Sequence, residues 1–327
     1  MENLQSLSKE AKNKLLNELK DFKIYYRDSL NLPRRTSFGC EIEFKLPDYQ
    51  VLDCPIGIRQ DDYVYDLLKS KNYNYPFNVK SEADESIEII TDVLKDDAKS
   101  WNVLKSVLDF LKNNNAYCNA SCASHVHIGK QLLGTNLVSW LNFFRIWCIF
   151  EDDIIKFVNG EYYFERTNFN FYSNRCKNVI INLLSKHINE YDLIPEELCN
   201  KKYSINFNTQ YIKDLTIRSN NYTKSNKKNT IEFRCPNGTL NAQIWQNNIN
   251  FFAKLMTSCY NDRLDHELLK YLLENQYQFE HNDDMAFYLA DMVFDNDLDK
   301  LFFLRQYYKD FNEPDLKTFV KSAPFWR

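Results

Sequence analysis

The run "FGCEIEF", Phe38–Phe44, sets two glutamates, Glu41 and Glu43, two positions apart in an otherwise apolar stretch. In an extended strand residues i and i+2 project from one face, so the two carboxylates point the same way and Ile42 points the other. Three more runs repeat the device. "SHVHIG" (Ser124–Gly129) pairs His125 with His127, "TIEFRCPNGTL" (Thr230–Leu240) pairs Glu232 with Arg234, and "EADESIEII" (Glu82–Ile90) aligns Asp84, Ser86 and Glu88. The interleaved residues Ile42, Val126, Phe233 and Ile87 are apolar, as expected of a sheet with one face packed on helices.

A single charged pair of this kind is ordinary for a strand with a solvated face. Four of them on one sheet collect at least four carboxylates and two imidazoles against one arginine. Burying unpaired carboxylates costs on the order of several kcal/mol each, so such a face holds either water or cations. Glutamate and aspartate with a minority of histidine suit hard divalent ions, Mg²⁺ or Mn²⁺, held partly through water and substrate phosphates. Arg234 stands two residues from a candidate ligand, where its planar fork can meet the same anion. Divalent metal and arginine around a phosphoryl group are the working parts of phosphoryl transfer.

The 327 residues are 44% hydrophobic and 15% aromatic, enough for a substantial core, and the net charge of -4 gives no general reason to expect nucleic acid or a membrane surface as partner. Nine cysteines without a CxxC pair, Cys118 and Cys122 being closest in "CNASC", fit a reduced cytoplasmic setting. The N-terminal stretch has no uninterrupted apolar core; its Leu4, Leu7, Ala11, Leu15 and Leu19 fall on one helical face. The most apolar window, "LVSWLNFFRIWCIF", is too short to span a bilayer and contains Arg145, so it reads as a buried helix. With only 6 glycines in the chain, Gly39, Gly129 and Gly238 beside charged motifs are expected where the backbone requires them.

Helical periodicity marks residues 8–28, 97–113, 136–158 and 241–260, with β-like runs between them: "FGCEIEFKL", "VKSEADESIEIITDVL", "SHVHIG", "KYSINFNTQYI" and "NTIEFRCP". Beyond residue 262, "HELLKYLLENQ", "MAFYLADMVF" and "DLDKLFFLRQYYKDF" read as successive helices without clustered chemistry, and "RSNNYTKSNKKN" from Arg218 reads as an exposed loop. Three regions follow: an N-terminal helix in residues 1–34, a catalytic domain at 35–260 and a helical C-terminal appendage at 261–327. The fold class is α+β, a curved and mainly antiparallel sheet with helices on its outer face, its polar face forming a funnel lined by the charged pairs.

"GCEIEF", "DESIEIITDVL", "SHVHIGK", "KYSINF" and "TIEFRCPNGTLN" occur in the order and approximate spacing found in the amidoligases, carboxylate–amine ligases of the glutamine synthetase and γ-glutamylcysteine ligase fold group. The chain resembles that family over roughly residues 35–260, most specifically in "GCEIE", "HVHIG" and "IEFRCPNGTL" taken together. The resemblance implies a glutamine synthetase-like catalytic fold and an ATP-dependent reaction with Mg²⁺ or Mn²⁺. It implies that Glu41, Glu43, Glu88 and Glu232 are metal ligands with one imidazole of His125 and His127. Arg234 would contact the transferred phosphoryl group and Asp84 would lie near the amine acceptor. The family's arginine after the central helix is matched by either Arg166 or Arg175, and Asn206 is a further candidate for nucleotide contact, with closure of a turn as its alternative. One departure is that Ala123 and Ser124, rather than a glycine and an apolar residue, precede the first histidine.

Two other enzyme classes use related parts. A guanidino or small-molecule kinase shares the metal–phosphate site but leaves the phosphoryl group on a product. A zinc hydrolase shares HxH, yet "HVHIGK" lacks a following Asp-His and such an enzyme needs neither the ExE nor the ExR pair. A binding module without catalysis would have lost part of the ligand set, whereas each pair here is intact. The expected partners are a small-molecule or peptide carboxylate and an amine; their identities and the oligomeric state are open at this stage.

Overall fold

The computed structural model describes residues 3–47, 77–81, 86–159, 173–185, 196–199, 201–207, 229–275 and 284–309. The alternating runs become strands β1 (Phe38–Phe44), β2 (Phe77–Ser81), β3 (Ile87–Thr91), β4 (Ser124–Gly129), β5 (Ile205–Asn206) and β6 (Thr230–Phe233). They form one sheet in the order β2-β3-β1-β4-β6-β5, and every ladder in it is antiparallel. The run "VKSEADESIEIITDVL" divides into the β2–β3 hairpin, so Glu88 begins a fresh strand with Ile87 and Ser86 is buried just before it. Asp84 lies outside the described residues.

Helices α1 (Lys9–Leu19), α2 (Ala98–Asn113), α3 (Leu137–Asn159), α4 (Lys177–Leu184) and α5 (Ala242–Tyr260) belong to the part of the chain that carries the sheet. Helices α1, α2 and α5 start where a local side chain caps the orphan N–H groups, Ser8 accepting from Ala11 N at α1. Asp97 accepts from Ser100 N at 2.7 Å to open α2, and Asn241 accepts from Gln243 N and Ile244 N to open α5. The periodic segments at 97–113, 136–158 and 241–260 thus match helices to within a residue or so.

The expectation of a helix over residues 8–28 is corrected. It stops at Leu19 because the following segment is bound by tertiary contacts that an unbroken helix would not make. Arg305 donates to the carbonyls of Lys20 and Phe22, and the side-chain amide of Gln246 in α5 pairs with both N–H and C=O of Arg27.

Helices cover one face of the sheet. Phe38 stacks on Trp101 of α2 at 4.7 Å between ring centroids, while Phe233 stacks on Phe252 of α5 at 4.0 Å and meets Trp147 of α3 at 5.6 Å. Ile42, Val126 and Phe233 are fully buried on that face, as their alternation with charged residues requires. Helices α6 (His266–Glu274), α7 (Asp284–Val293) and α8 (Asp297–Tyr307) confirm the helical reading beyond residue 262 and pack on α3 and α5, with the N-terminal turn at Leu4–Ser6 seated on α7. No described helix is long and apolar enough to cross a membrane.

Gly238 is a position where only glycine fits, since a Cβ there would stand 2.9 Å from the backbone carbon of Cys122. Gly39 differs from expectation: a Cβ would meet nothing closer than 3.9 Å, so packing does not demand the glycine. Cys40 and Cys235 are buried as small core residues.

One ionisable contact joins α3 to α8: Asp153 accepts from the Tyr307 hydroxyl at 2.7 Å. Burial, with the neighbouring Asp152 charge, pushes the Asp153 carboxyl up to about 6 in spite of that hydrogen bond. A raised folded pKa means the folded state holds the proton more tightly than the unfolded chain. Its stabilising effect is complete below about pH 4 and is lost as pH rises through about 6. Asp153→Asn is therefore expected to melt at a higher temperature than the wild type at pH 8, with the difference closing as pH falls toward about 4. Parallel melting curves for the two proteins across that range would show that Asp153 does not carry this pH dependence.

Candidate functional site

Register brings the sequence-predicted residues together on the face opposite the aromatic core. Glu41 of β1 lies directly across from His125 of β4, Glu43 across from Glu88 of β3, His127 across from Glu232 of β6, and Glu232 across from Asn206 of β5. Directly opposed residues of an antiparallel pair share a face, so all of these side chains project the same way. Glu41, Glu88, His125, His127, Glu232 and Arg234 are each no more than 5% exposed, and Glu43 is half-buried.

Glu41 is the hub. Its Oε2 is 3.1 Å from His125 Nδ1 and its Oε1 is 2.9 Å from His127 Nε2, so one carboxylate bridges two imidazoles of the next strand. The second nitrogen of His127 meets Thr230 Oγ1 at 3.2 Å. Glu232 accepts from Asn206 Nδ2 at 2.9 Å through one oxygen and forms an ion pair with Arg234 NH1 through the other. Glu43 accepts from the backbone N–H of Ala123 at 2.7 Å.

Burial alone would raise the Glu41 pKa, but hydrogen bonds and charge from His125 and His127 outweigh it and hold the carboxyl far below the usual range. Burial opposes ionisation of Glu232 as well, and there His125, Arg234 and His127 prevail to keep its pKa low. His125 goes the other way: burial first, then the Arg234 guanidinium, push its imidazole below the ordinary value against the pull of Glu41 and Glu43. At 3.1 Å an ionised Glu41 accepts from the Nδ1–H of His125. The other ring nitrogen, His125 Nε2, is buried without a hydrogen-bond partner and lies 4.0 Å from Glu43 Oε1.

Donor atoms converge in two overlapping groups, Glu41 with Glu88 and His125, and Glu41 with His127 and Glu232, within each of which they lie inside 4.8 Å of one another. Two carboxylates and one imidazole per group, with an unpartnered imidazole nitrogen alongside, fit a hard or borderline divalent cation better than a soft one. Among the described residues four carboxylates, Glu41, Glu43, Glu88 and Glu232, share the face with the Arg234 guanidinium, and Lys80 stands opposite Glu88 in the β2–β3 register.

Arg175 is engaged by Asp152 of α3, Nε to Oδ1 at 2.6 Å, just before α4. Arg166 and Asp84 lie outside the described residues. Sequence reasoning missed Thr230, which completes the contacts of His127, and Ser204, whose carbonyl accepts from Arg234 N at 2.8 Å. Thr230 was open to detection, since it stands two residues before Glu232 on the same strand face. Ser204 bears no local signal, because its contact depends on where β5 docks.

A protein-family model described as "Putative amidoligase enzyme" matches residues 8–256, and no curated protein matches the chain. The matched span covers most of the 327 residues and takes in every member of the cluster from Glu41 to Arg234. With that coverage, and with the motif residues gathered on one sheet face, the chain belongs to the amidoligase family.

Proposed function

We propose that this protein is an ATP-dependent carboxylate–amine ligase that forms an amide or peptide-like bond through an acyl phosphate. The observation that carries the reading is the buried cluster in which Glu41 bridges His125 and His127 while Glu232 pairs with Arg234. Family membership supplies the reaction class, a ligase.

Glu41, Glu43, Glu88 and Glu232, with histidine, would hold Mg²⁺ or Mn²⁺. Nε2 of His125 can accept a cation without losing a hydrogen bond, whereas both nitrogens of His127 are engaged, which favours His125 as the imidazole ligand. When bound, the divalent ion supplies positive charge to the β- and γ-phosphate oxygens of ATP.

In the proposed reaction a carboxylate oxygen of the acid attacks the γ-phosphorus and ADP departs. The amine nitrogen then displaces phosphate from the acyl carbon and gives up a proton, with Asp84 the sequence candidate to receive it. Atoms balance as acid, amine and ATP going to amide, ADP and phosphate. Arg234 presents a planar donor fork to the phosphoryl oxygens, and its pairing with Glu232, itself held by Asn206, fixes the direction of that fork. The acid and amine would be small molecules or peptides. A kinase reading shares this machinery and differs in one readout: the ligase releases inorganic phosphate in proportion to amine consumed, whereas the kinase retains phosphate on a product.

Titration with Mn²⁺ followed by electron paramagnetic resonance is expected to show saturable binding that weakens by about tenfold or more in Glu41→Gln, a loss typical of disturbing a metal ligand or its support. ATP is expected to raise the melting temperature when Mg²⁺ or Mn²⁺ is present and not in excess chelator. Unchanged Mn²⁺ affinity in Glu41→Gln would reduce the cluster to a structural network.

Arg234→Lys keeps the charge but not the fork. With pooled amino acids and peptides as substrates, it is expected to lower phosphate release by about a hundredfold while leaving Mn²⁺ affinity within a few-fold. Turnover close to wild type, where chemistry limits the rate, would return Arg234 to a purely structural ion pair.

A further inference from the structure

Helix α3 carries a glutamate on its apolar stripe. Trp140, Phe144, Trp147, Ile154 and Val158 line one side of that helix and are fully buried, and Glu151 lies among them, equally inaccessible. A carboxylate there is costly unless its oxygens are satisfied. They are. Glu151 accepts from Trp147 Nε1 at 3.0 Å, from the backbone N–H groups of Cys176 at 2.9 Å and Lys177 at 2.8 Å, and from Ser204 Oγ at 2.5 Å.

The acceptors and donors describe a junction between helix layer and site. The Cys176 and Lys177 contacts tie Glu151 to the start of α4, where amide groups are otherwise unsatisfied. Through Ser204 the carboxylate reaches the polar face of the sheet. Ser204 N donates to Asn174 O and Ser204 O accepts from Arg234 N, both at 2.8 Å, and two residues on is Asn206, whose side chain holds Glu232. Glu151 touches none of the metal-site carboxylates in these contacts, yet the backbone on which Arg234 hangs is bonded to a residue that Glu151 grips.

We infer that Glu151 is a positioning residue for the Arg234–Glu232–Asn206 corner, acting through Ser204. The inference rests on the proposed role of Arg234 for its catalytic consequence and on contacts alone for its structural one. A shift of the arginine by a fraction of an ångström is enough to matter at a preorganised electrostatic site.

Two variants separate the links. Glu151→Gln removes the carboxylate that accepts from five donors, the Cys176 thiol at 3.2 Å among them, and Ser204→Ala removes the Ser204 hydroxyl, which also meets Cys176 Sγ, while leaving the α4 backbone contacts of Glu151 intact. Amide hydrogen exchange read on peptides spanning 202–207 and 229–236 is expected to speed up about tenfold or more at Arg234 and its neighbours in Glu151→Gln, and by less in Ser204→Ala, with α5 unchanged. In turnover assays Glu151→Gln is expected to lose about tenfold in kcat with little change in KM, and to cost almost nothing further in an Arg234→Lys background.

Unchanged exchange at Arg234 in both variants, or acceleration spread evenly over the whole chain, overturns the inference. An equal kcat loss with and without the Arg234 guanidinium does so too. If no ATP-dependent turnover is found for the wild type, the ligase reading fails, and the exchange pattern still decides whether Glu151 positions Arg234. If Glu151→Gln does not fold, Ser204→Ala decides.

Discussion

One carboxylate between two imidazoles organises this molecule. Glu41 joins β1 to β4 through both His125 and His127, in the middle of a sheet whose reverse face is the aromatic core. Because strand side chains alternate with a period of two, a slip of one residue in β1 would carry Glu41 and Glu43 into the space of Ile42, which is fully buried. Buried ions in that layer would lose their partners at a cost of several kcal/mol each, roughly. Core packing and site chemistry therefore enforce the same register, and neither can be altered without the other.

The apolar side explains how the polar side can be held so firmly. Phe233 separates Glu232 from Arg234 in sequence, and its ring stacks on Phe252 while meeting Trp147 and Phe143. Rings locked in this way leave the strand little freedom to rotate, so the side chains on its other face inherit a fixed direction. Helix α5, buried along nearly its whole length, is the slab against which β4 and β6 lie. Its buried amides are put to use as well: Gln246 binds the backbone of Arg27, and Asn247 bonds to Phe302 O and to Gln306.

Features that obey a local period were legible in the sequence, and features set by docking were not. Strand β4 coincides with "SHVHIG", and helices α2, α3 and α5 follow their apolar stripes. The partnership of Glu43 with Glu88 could not be read from either strand, because antiparallel register is a property of the pair. Helix α1 was read too long because Phe22 and Arg27 are claimed by Arg305 and Gln246, residues more than two hundred positions away. Glu151 has no part in the reading of the sequence, although its place on the stripe of Trp147 and Ile154 is visible in the spacing. Recognising it required asking why a glutamate should sit where every neighbour is apolar.

Hydrogen bonds and charge both act on the carboxylates of this buried site. Glu41 has two imidazoles, Glu43 has the Ala123 amide, and Glu232 has Asn206 and Arg234, so each of these carboxylates is oriented by the protein itself. A core that used such groups only for structure would pair each negative charge with a positive one, since uncompensated buried charge is the expensive part. Among the described residues Arg234 is the guanidinium on the face of Glu41, Glu43, Glu88 and Glu232, and the β2–β3 register sets Lys80 opposite Glu88. Carboxylates already oriented in this way would lose little freedom if a cation bound among them.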